Sequence, residues 1–129
     1  MPAVSDAELK DLRARLRATR WPDRETDERQ GLALEDLQEV CSYWAQDYDW
    51  RRCERRLASI GWFRTSVDGL DIAFLHALSE RTDAFPLVLT HGWPGSVIEF
   101  VDALEPLTAA GFSCVVPSLP GYGWSGKPT

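Results

Sequence analysis

Apolar positions change their period near residue 60, and the change separates a helical, charged region from one that alternates strands with a helix. In the first region, Leu9, Leu12 and Leu16 share one helix face. Ser5 and Glu8 stand ahead of them at capping-box spacing, which satisfies two amide donors that a helix start leaves unpaired. Trp21-Pro22 predicts the end of this helix, because proline drives the residue before it out of helical geometry. Arg24 to Gly31 is polar and reads as a loop. Leu34, Leu37, Cys41, Trp44 and Tyr48 then form a narrow apolar stripe on a second helix. Asp49 is placed to cap a third, short helix, with Arg51, Arg52, Arg55 and Arg56 mostly outward and Leu57 inward. The run is too short for sustained heptads, so packing on a neighbouring domain is expected rather than a coiled coil. Trp21, Trp44, Tyr48 and Trp50 are expected to anchor the helices there, since large aromatics dominate such packing.

From Trp62 the pattern is that of strands. Trp62–Val67 and Leu70–Leu78 flank Asp68-Gly69, a strong hairpin signal. Pro86–Thr90 reads as a short buried strand. Ser96 and Glu99 repeat the capping-box spacing, and Val97, Phe100, Val101, Leu104 and Leu107 line a helix from Val97 to Ala110. Gly111 is placed to end it. Phe112–Pro117 is a fourth strand. Strand, helix, strand in this order predicts a right-handed parallel crossover and an α/β sheet. The Gly/Pro-rich loop Ser118–Ser125 then lies at the carboxyl end of a strand, where ligands collect in open α/β sheets. The expected division is a helical segment over residues 1–59 and a strand-rich segment over residues 60–129.

The chain's 129 residues suit one modest domain. A formal net charge of −6 argues against a nucleic-acid partner, whose phosphates would be repelled. No window is apolar enough to span a membrane and the N-terminus has no signal-like apolar stretch, so a cytoplasmic location without membrane attachment is expected. Cys41, Cys53 and Cys114 are widely spaced and read as buried structural thiols, with neither a zinc site nor a disulfide framework indicated.

The most informative chemistry is His91-Gly92-Trp93-Pro94-Gly95-Ser96. An apolar strand, a tight Gly/Pro turn and a helix form an arrangement that aims backbone N–H groups at one point. Such groups stabilise a developing oxyanion, each donor being worth roughly 2.7–4 kcal/mol of barrier. Acyl or ester chemistry follows as the expectation. Gly92 and Gly95 let backbone approach a substrate closely. Ser96 reads as a helix cap, because the Gly-x-Ser-x-Gly elbow of serine hydrolases is absent. Asp68 reads as a turn residue, and neither it nor Asp71, Asp83 or Asp102 follows a buried strand at a sharp turn, where an activated nucleophile would sit. His76, at a strand end, reads as structural.

Several motifs in order resemble microsomal-type epoxide hydrolases. They are Thr19-Arg20-Trp21-Pro22-Asp23, Tyr43-Trp44, Tyr48-Asp49-Trp50-Arg51, Asp68-Gly69-Leu70, the His91–Ser96 run, and Pro117-Ser118-Leu119-Pro120-Gly121-Tyr122-Gly123-Trp124-Ser125. The resemblance covers nearly the whole chain. It implies the N-terminal half of an α/β-hydrolase core preceded by a helical segment. It also implies addition of water to a small-molecule epoxide through an alkyl-enzyme ester, without cofactor or metal. In that family an aspartate attacks the epoxide, two tyrosines hold its oxygen, and a histidine activates the water that cleaves the ester. The resemblance gives the Trp93 backbone N–H as an oxyanion donor, a cis bond before Pro94, and His91, Gly92, Pro94 and Gly95 as shapers of the turn. His91 is expected to hold the turn rather than act as base, since the family's base comes late in the chain. Nucleophile, acid and base lie beyond the resemblance, so the chain alone is expected to be an inactive N-terminal portion. Self-association, or pairing with the missing C-terminal part, is expected from an unpaired Leu87–Thr90 strand. The alternatives are a non-catalytic binding or assembly remnant and the start of a haloalkane dehalogenase.

Overall fold

A computed structural model describes residues 3–27 and 29–129. The chain forms two compact units, one running to Arg51 and the other from Arg52 to Thr129. The helical unit contains α1 (Asp6–Arg17) and α2 (Leu34–Gln46), packed on each other. A further helix, α3 (Trp50–Ile60), begins at its end and continues into the second unit.

Local chemistry fixes the helix ends. Glu8 N–H donates to Ser5 Oγ at 3.2 Å, and Ser5 N–H donates to the Glu8 carboxylate at 2.8 Å, completing the capping box. These bonds hold the Glu8 carboxyl below the usual glutamate range. α1 stops at Arg17, ahead of Trp21-Pro22. The Thr19 hydroxyl donates to Leu16 O at 2.9 Å, so a side chain closes the last turn before the proline is reached. At α2 the N-cap residue Ala33 offers no side-chain acceptor. The Glu25 carboxylate, from the polar loop, takes the Leu34 N–H instead at 2.9 Å. Asp49 Oδ1 accepts Arg51 N–H at 2.9 Å and caps α3 as its position implies.

The expected stripe on α2 is only partly buried. Leu34, Leu37 and Cys41 are half-buried, whereas Trp44 is 44% exposed beside exposed Val40 and Tyr43. Tyr48 lies past the helix end. Val40, Tyr43 and Trp44 face an apolar hollow of about 480 Å3 whose other wall includes Leu9 and Leu12 of α1.

The second unit is a four-stranded sheet: β1 (Trp62–Val67), β2 (Leu70–Ala77), β3 (Phe85–Val88) and β4 (Phe112–Pro117), in the order β1-β2-β4-β3. β1 and β2 pair antiparallel through a hairpin with Val67 opposite Leu70. Asp68 and Gly69 both have positive φ, 50° and 81°, as a two-residue type I′ turn requires. β2 pairs antiparallel with β4, and β3 pairs parallel with β4. The crossover between β3 and β4 is not one uninterrupted α-helix. It opens as a 3-10 turn, Val97–Phe100, and continues as α4 (Val101–Ala109). The tight start follows from Ser96, whose Oγ accepts Ile98 N–H at 3.3 Å while its carbonyl accepts Glu99 N–H at 3.1 Å. Gly111, at φ 96°, turns the chain from α4 into β4.

The core lies on one sheet face. Leu75, Cys114 and Val116 meet Val101 and Leu104 of the crossover and Leu57 of α3. Leu57 explains why α3 divides between the units. Cys114 is buried, and burial pushes its thiol pKa up. Cys41 and Cys53 are only half-buried, so the expectation of three buried thiols holds for one. On the opposite face the rings of Phe63, Phe74 and His76 cluster, with the two phenyl centroids 5.8 Å apart.

β3 lies at the sheet edge and ends at Val88 rather than Thr90. Leu89 N–H still reaches Val115 O at 3.0 Å, and Phe85 N–H reaches Gly111 O at 2.9 Å. By strand alternation, Pro86, Val88 and Thr90 point their backbone to the open side, where Pro86 has no N–H to offer. Val88 is 64% exposed.

Two measurements check this packing. Leu75→Ala, at a site 1% exposed, should cost about 2–5 kcal/mol in denaturant unfolding, while Val88→Ser at the open edge should stay within about 0.5 kcal/mol. In an NMR titration Glu8 should ionise below an ordinary glutamate, and Ser5→Ala, which removes the hydroxyl but keeps the backbone N–H, should bring it part of the way back. Since the folded value is the lower one, the capping contribution is present above the unfolded pKa and is lost as pH falls through the folded pKa.

Candidate functional site

Two loops leave the carboxyl ends of the parallel strands β3 and β4. The first carries His91–Ser96 and the second runs from Ser118 to Gly126. The sheet places their starting points side by side, because Val88 pairs with Val115.

In the first loop, Gly92-Trp93-Pro94-Gly95 is a β-turn closed by Gly95 N–H donating to Gly92 O at 2.9 Å, with a cis peptide bond between Trp93 and Pro94. A cis proline at the third turn position defines the type VI turn. Trp93 is 85% exposed, and Gly92 and Pro94 are exposed with it. Among the described residues, nothing accepts a hydrogen bond from the Trp93 N–H. A Cβ built on Gly92 would meet nothing, so the space above the turn is open. At Gly95 a Cβ would fall 1.5 Å from the Glu99 carboxylate, which reaches back to accept the Ser96 N–H at 3.3 Å. The capping glutamate therefore occupies the volume that only a glycine leaves free.

His91 is the buried member of the turn, 3% exposed. Its Nδ1 lies 3.0 Å from Gly92 O, and its Nε2 accepts the Leu119 N–H at 3.1 Å. A carbonyl can only accept and an amide can only donate, so these partners assign the neutral tautomer with the proton on Nδ1. The Tyr122 ring meets the imidazole edge-on with centroids 5.1 Å apart. Both ring nitrogens are engaged by backbone.

The second loop is held by serines. Ser125 Oγ donates to Ser118 O at 2.7 Å and accepts the Ala73 N–H at 3.0 Å. Ser118 N–H donates to Ala73 O at 2.9 Å, and Gly126 N–H to Asp71 O at 2.7 Å. Trp124 packs edge-on against Trp62, and its carbonyl accepts from Arg64 at 3.2 Å. Sequence reasoning placed Glu99 in the capping box but not against Gly95, and it missed the bonds that Ser118, Leu119 and Ser125 contribute to this assembly. The Gly/Pro density of residues 118–125 signalled a loop at a strand end, but not which backbone groups it lends to the neighbouring loop.

The structure thus brings His91, Gly92, Trp93, Pro94 and Gly95 into one turn and joins it to the second loop through His91. Asp68, Asp71, Asp83 and Asp102 are engaged elsewhere: Asp68 in the hairpin, Asp71 with Arg64, Asp83 with Arg81 and Asp102 with Arg56. The paired guanidinium of Arg81 holds the Asp83 carboxyl below the usual range. Among the described residues, no cluster of three or more His, Cys, Asp or Glu is placed to hold a metal, and no helix is long and apolar enough to cross a membrane.

Comparison with known proteins adds to this geometry. Residues 1–100 match the family described as epoxide hydrolase N terminus, and residues 86–129 match the alpha/beta hydrolase fold. A protein of Stigmatella aurantiaca (strain DW4/3-1), provisionally named an epoxide hydrolase, is 51% identical over 98% of this chain and 31% of its own length. Epoxide hydrolase 1 of Sus scrofa is 35% identical over 95% of this chain and 30% of its own. Among solved structures, Aspergillus niger epoxide hydrolase is 36% identical with a TM-score of 0.86, covering 100% of this chain and 36% of that one. Juvenile hormone epoxide hydrolase from the silkworm Bombyx mori is 31% identical with a TM-score of 0.85, over 97% of this chain and 36% of that one. The chain spans less than a third of the length of these two curated relatives.

The fit between Gly95 and Glu99 is open to test. Gly95→Ala should push the Glu99 carboxylate off Ser96 N–H and cost about 1 kcal/mol by thermal unfolding. Adding Glu99→Ala to it should cost little more, since the same bond is already lost; fully additive losses would show that the two residues do not share it.

Proposed function

The chain belongs to the epoxide hydrolase N-terminus family, and from that premise we propose that it forms one wall of an epoxide-opening site and supplies half of its oxyanion hole. The whole protein, on this reading, adds water to a small-molecule epoxide and yields a vicinal diol. A carboxylate nucleophile opens the ring and leaves an alkyl-enzyme ester. Water then attacks the ester carbonyl, and negative charge gathers on the carbonyl oxygen. A preorganised N–H aimed at that oxygen lowers the barrier without reorganising at the moment of reaction. The observation that carries the reading is the Trp93 N–H, without an acceptor among the described residues, on an exposed turn at the carboxyl end of a parallel strand pair. The match over residues 1–100 favours this chemistry over that of a haloalkane dehalogenase.

The oxyanion hole acts on the second of the two chemical steps. In an enzyme built from this chain and the remaining part of such a hydrolase, Gly92→Val or Pro94→Ala should slow ester hydrolysis more than alkylation. Pre-steady-state kinetics resolve the steps, and slower alkylation alone would count against the oxyanion role. The 129 residues by themselves should not raise diol formation from styrene oxide above buffer. Activity that vanished on mutating one of the chain's aspartates would place a nucleophile inside it and overturn the division of labour.

A second reading, association through β3, is favoured by its open edge and the 64% exposure of Phe85 and Val88. Unpaired backbone on an apolar strand is a template for another strand. Light scattering should show assemblies larger than one chain, and hydrogen exchange should show slowed Val88 and Thr90 amides. A monodisperse monomer would remove this reading.

A further inference from the structure

We infer that His91 is a positioning residue that aims the Trp93 N–H by clamping the other end of the same peptide unit; the inference rests on the oxyanion reading for its consequence but not for its geometry. Gly92 O and Trp93 N–H belong to one peptide. That peptide is trans, the cis bond lying one residue later. A planar trans unit points its C=O and N–H in opposite directions, so fixing one fixes the other. Gly92 O has two lone pairs, and two donors fill them: His91 Nδ1–H at 3.0 Å and Gly95 N–H at 2.9 Å. With the carbonyl drawn inward to a buried imidazole, the Trp93 N–H is turned outward to the exposed side of the turn.

The clamp has its own support. His91 would donate from Nδ1 only as the tautomer that leaves Nε2 free to accept, and the Leu119 N–H selects that tautomer from 3.1 Å away. The chain of control thus runs from the loop after β4, through the imidazole, to the donor after β3. Tyr122, edge-on at 5.1 Å, limits tilting of the ring. An imidazole serves here because it spans two backbone groups with one donor and one acceptor. Asparagine can place an amide N–H where Nδ1–H lies, and glutamine can place an oxygen where Nε2 lies, but neither does both.

The test uses the 129-residue chain in isotope-labelled form. NMR of the ring nitrogens should find the proton on Nδ1; a proton on Nε2 would overturn the clamp outright, whether or not any variant folds. In His91→Asn the Trp93 N–H residual dipolar coupling should stay near its original value, while the Leu119 amide loses protection from exchange. In His91→Gln the pattern should invert, with Leu119 protected and the Trp93 coupling collapsing toward zero. An unchanged Trp93 coupling in His91→Gln would overturn the inference. A full-length hydrolase carrying the same substitutions supplies the separate readout: ester hydrolysis slowed by roughly tenfold or more in His91→Gln relative to His91→Asn, with alkylation equal in the two. Loss of Trp93 orientation with unaltered ester hydrolysis would leave the clamp standing and sink the oxyanion reading instead.

Discussion

The parallel pairing of β3 with β4 is the constraint on which the site depends, because it delivers two loops to the same place and leaves their backbone groups to be satisfied there. Leu89, one residue past the end of β3, still bonds across to β4, and His91 follows it two positions on. Where the ladder stops, the polar backbone still needs partners, and leaving one buried and unpaired costs about 1–3 kcal/mol. The imidazole replaces the missing ladder bonds. It takes the Leu119 N–H from one loop and serves Gly92 O in the other. A side chain that ends a sheet in this way also determines where the first free N–H beyond it points.

The same economy governs the second loop. Ser125 bonds both the carbonyl of Ser118 and the amide of Ala73, so the loop folds back over the edge of β2 that β4 leaves unpaired. Trp62 and Trp124 cover this return with apolar surface. The loop is therefore bonded at its root, at Ser118, and again near its far end, at Gly126. Tyr122 sits between these attachments, and it is this residue that meets His91.

What was legible in the sequence was what is local. Both capping boxes, the Asp68-Gly69 turn and the Asp49 cap rest on residues within a few positions of each other, and all four form as expected. Strand boundaries matched for β4 and for β1, which the Asp68-Gly69 turn pairs with β2 along its whole length, and less so for β3, which has no hairpin partner and ends early at Val88. The apolar stripe on α2 was legible as a pattern, but pattern alone could not separate a covered position from one lining a hollow, and Trp44 lines one. The end of α1 was misplaced because Thr19, an unremarkable residue in sequence, supplies the closing bond before the proline acts. Glu25 was invisible as the cap of α2, since the bond spans a loop with no fixed spacing.

The site shows the same division more sharply. Gly92, Pro94 and Gly95 announced a turn because their backbone chemistry is unusual, and the family resemblance told which N–H in it to watch. The donor itself has no sequence signature, since every residue except proline carries one. Its direction is set by a carbonyl, the carbonyl by an imidazole, and the imidazole by an amide 28 residues further along the chain. Only the histidine in that series is a side chain. A reading that seeks function in reactive side chains would therefore weigh His91 first as an acid or base. Yet both of its nitrogens are already committed, one to donate and one to accept, within a buried position 3% exposed. A group that must exchange protons with a reactant needs a free face, and this one has spent both on holding backbone in place.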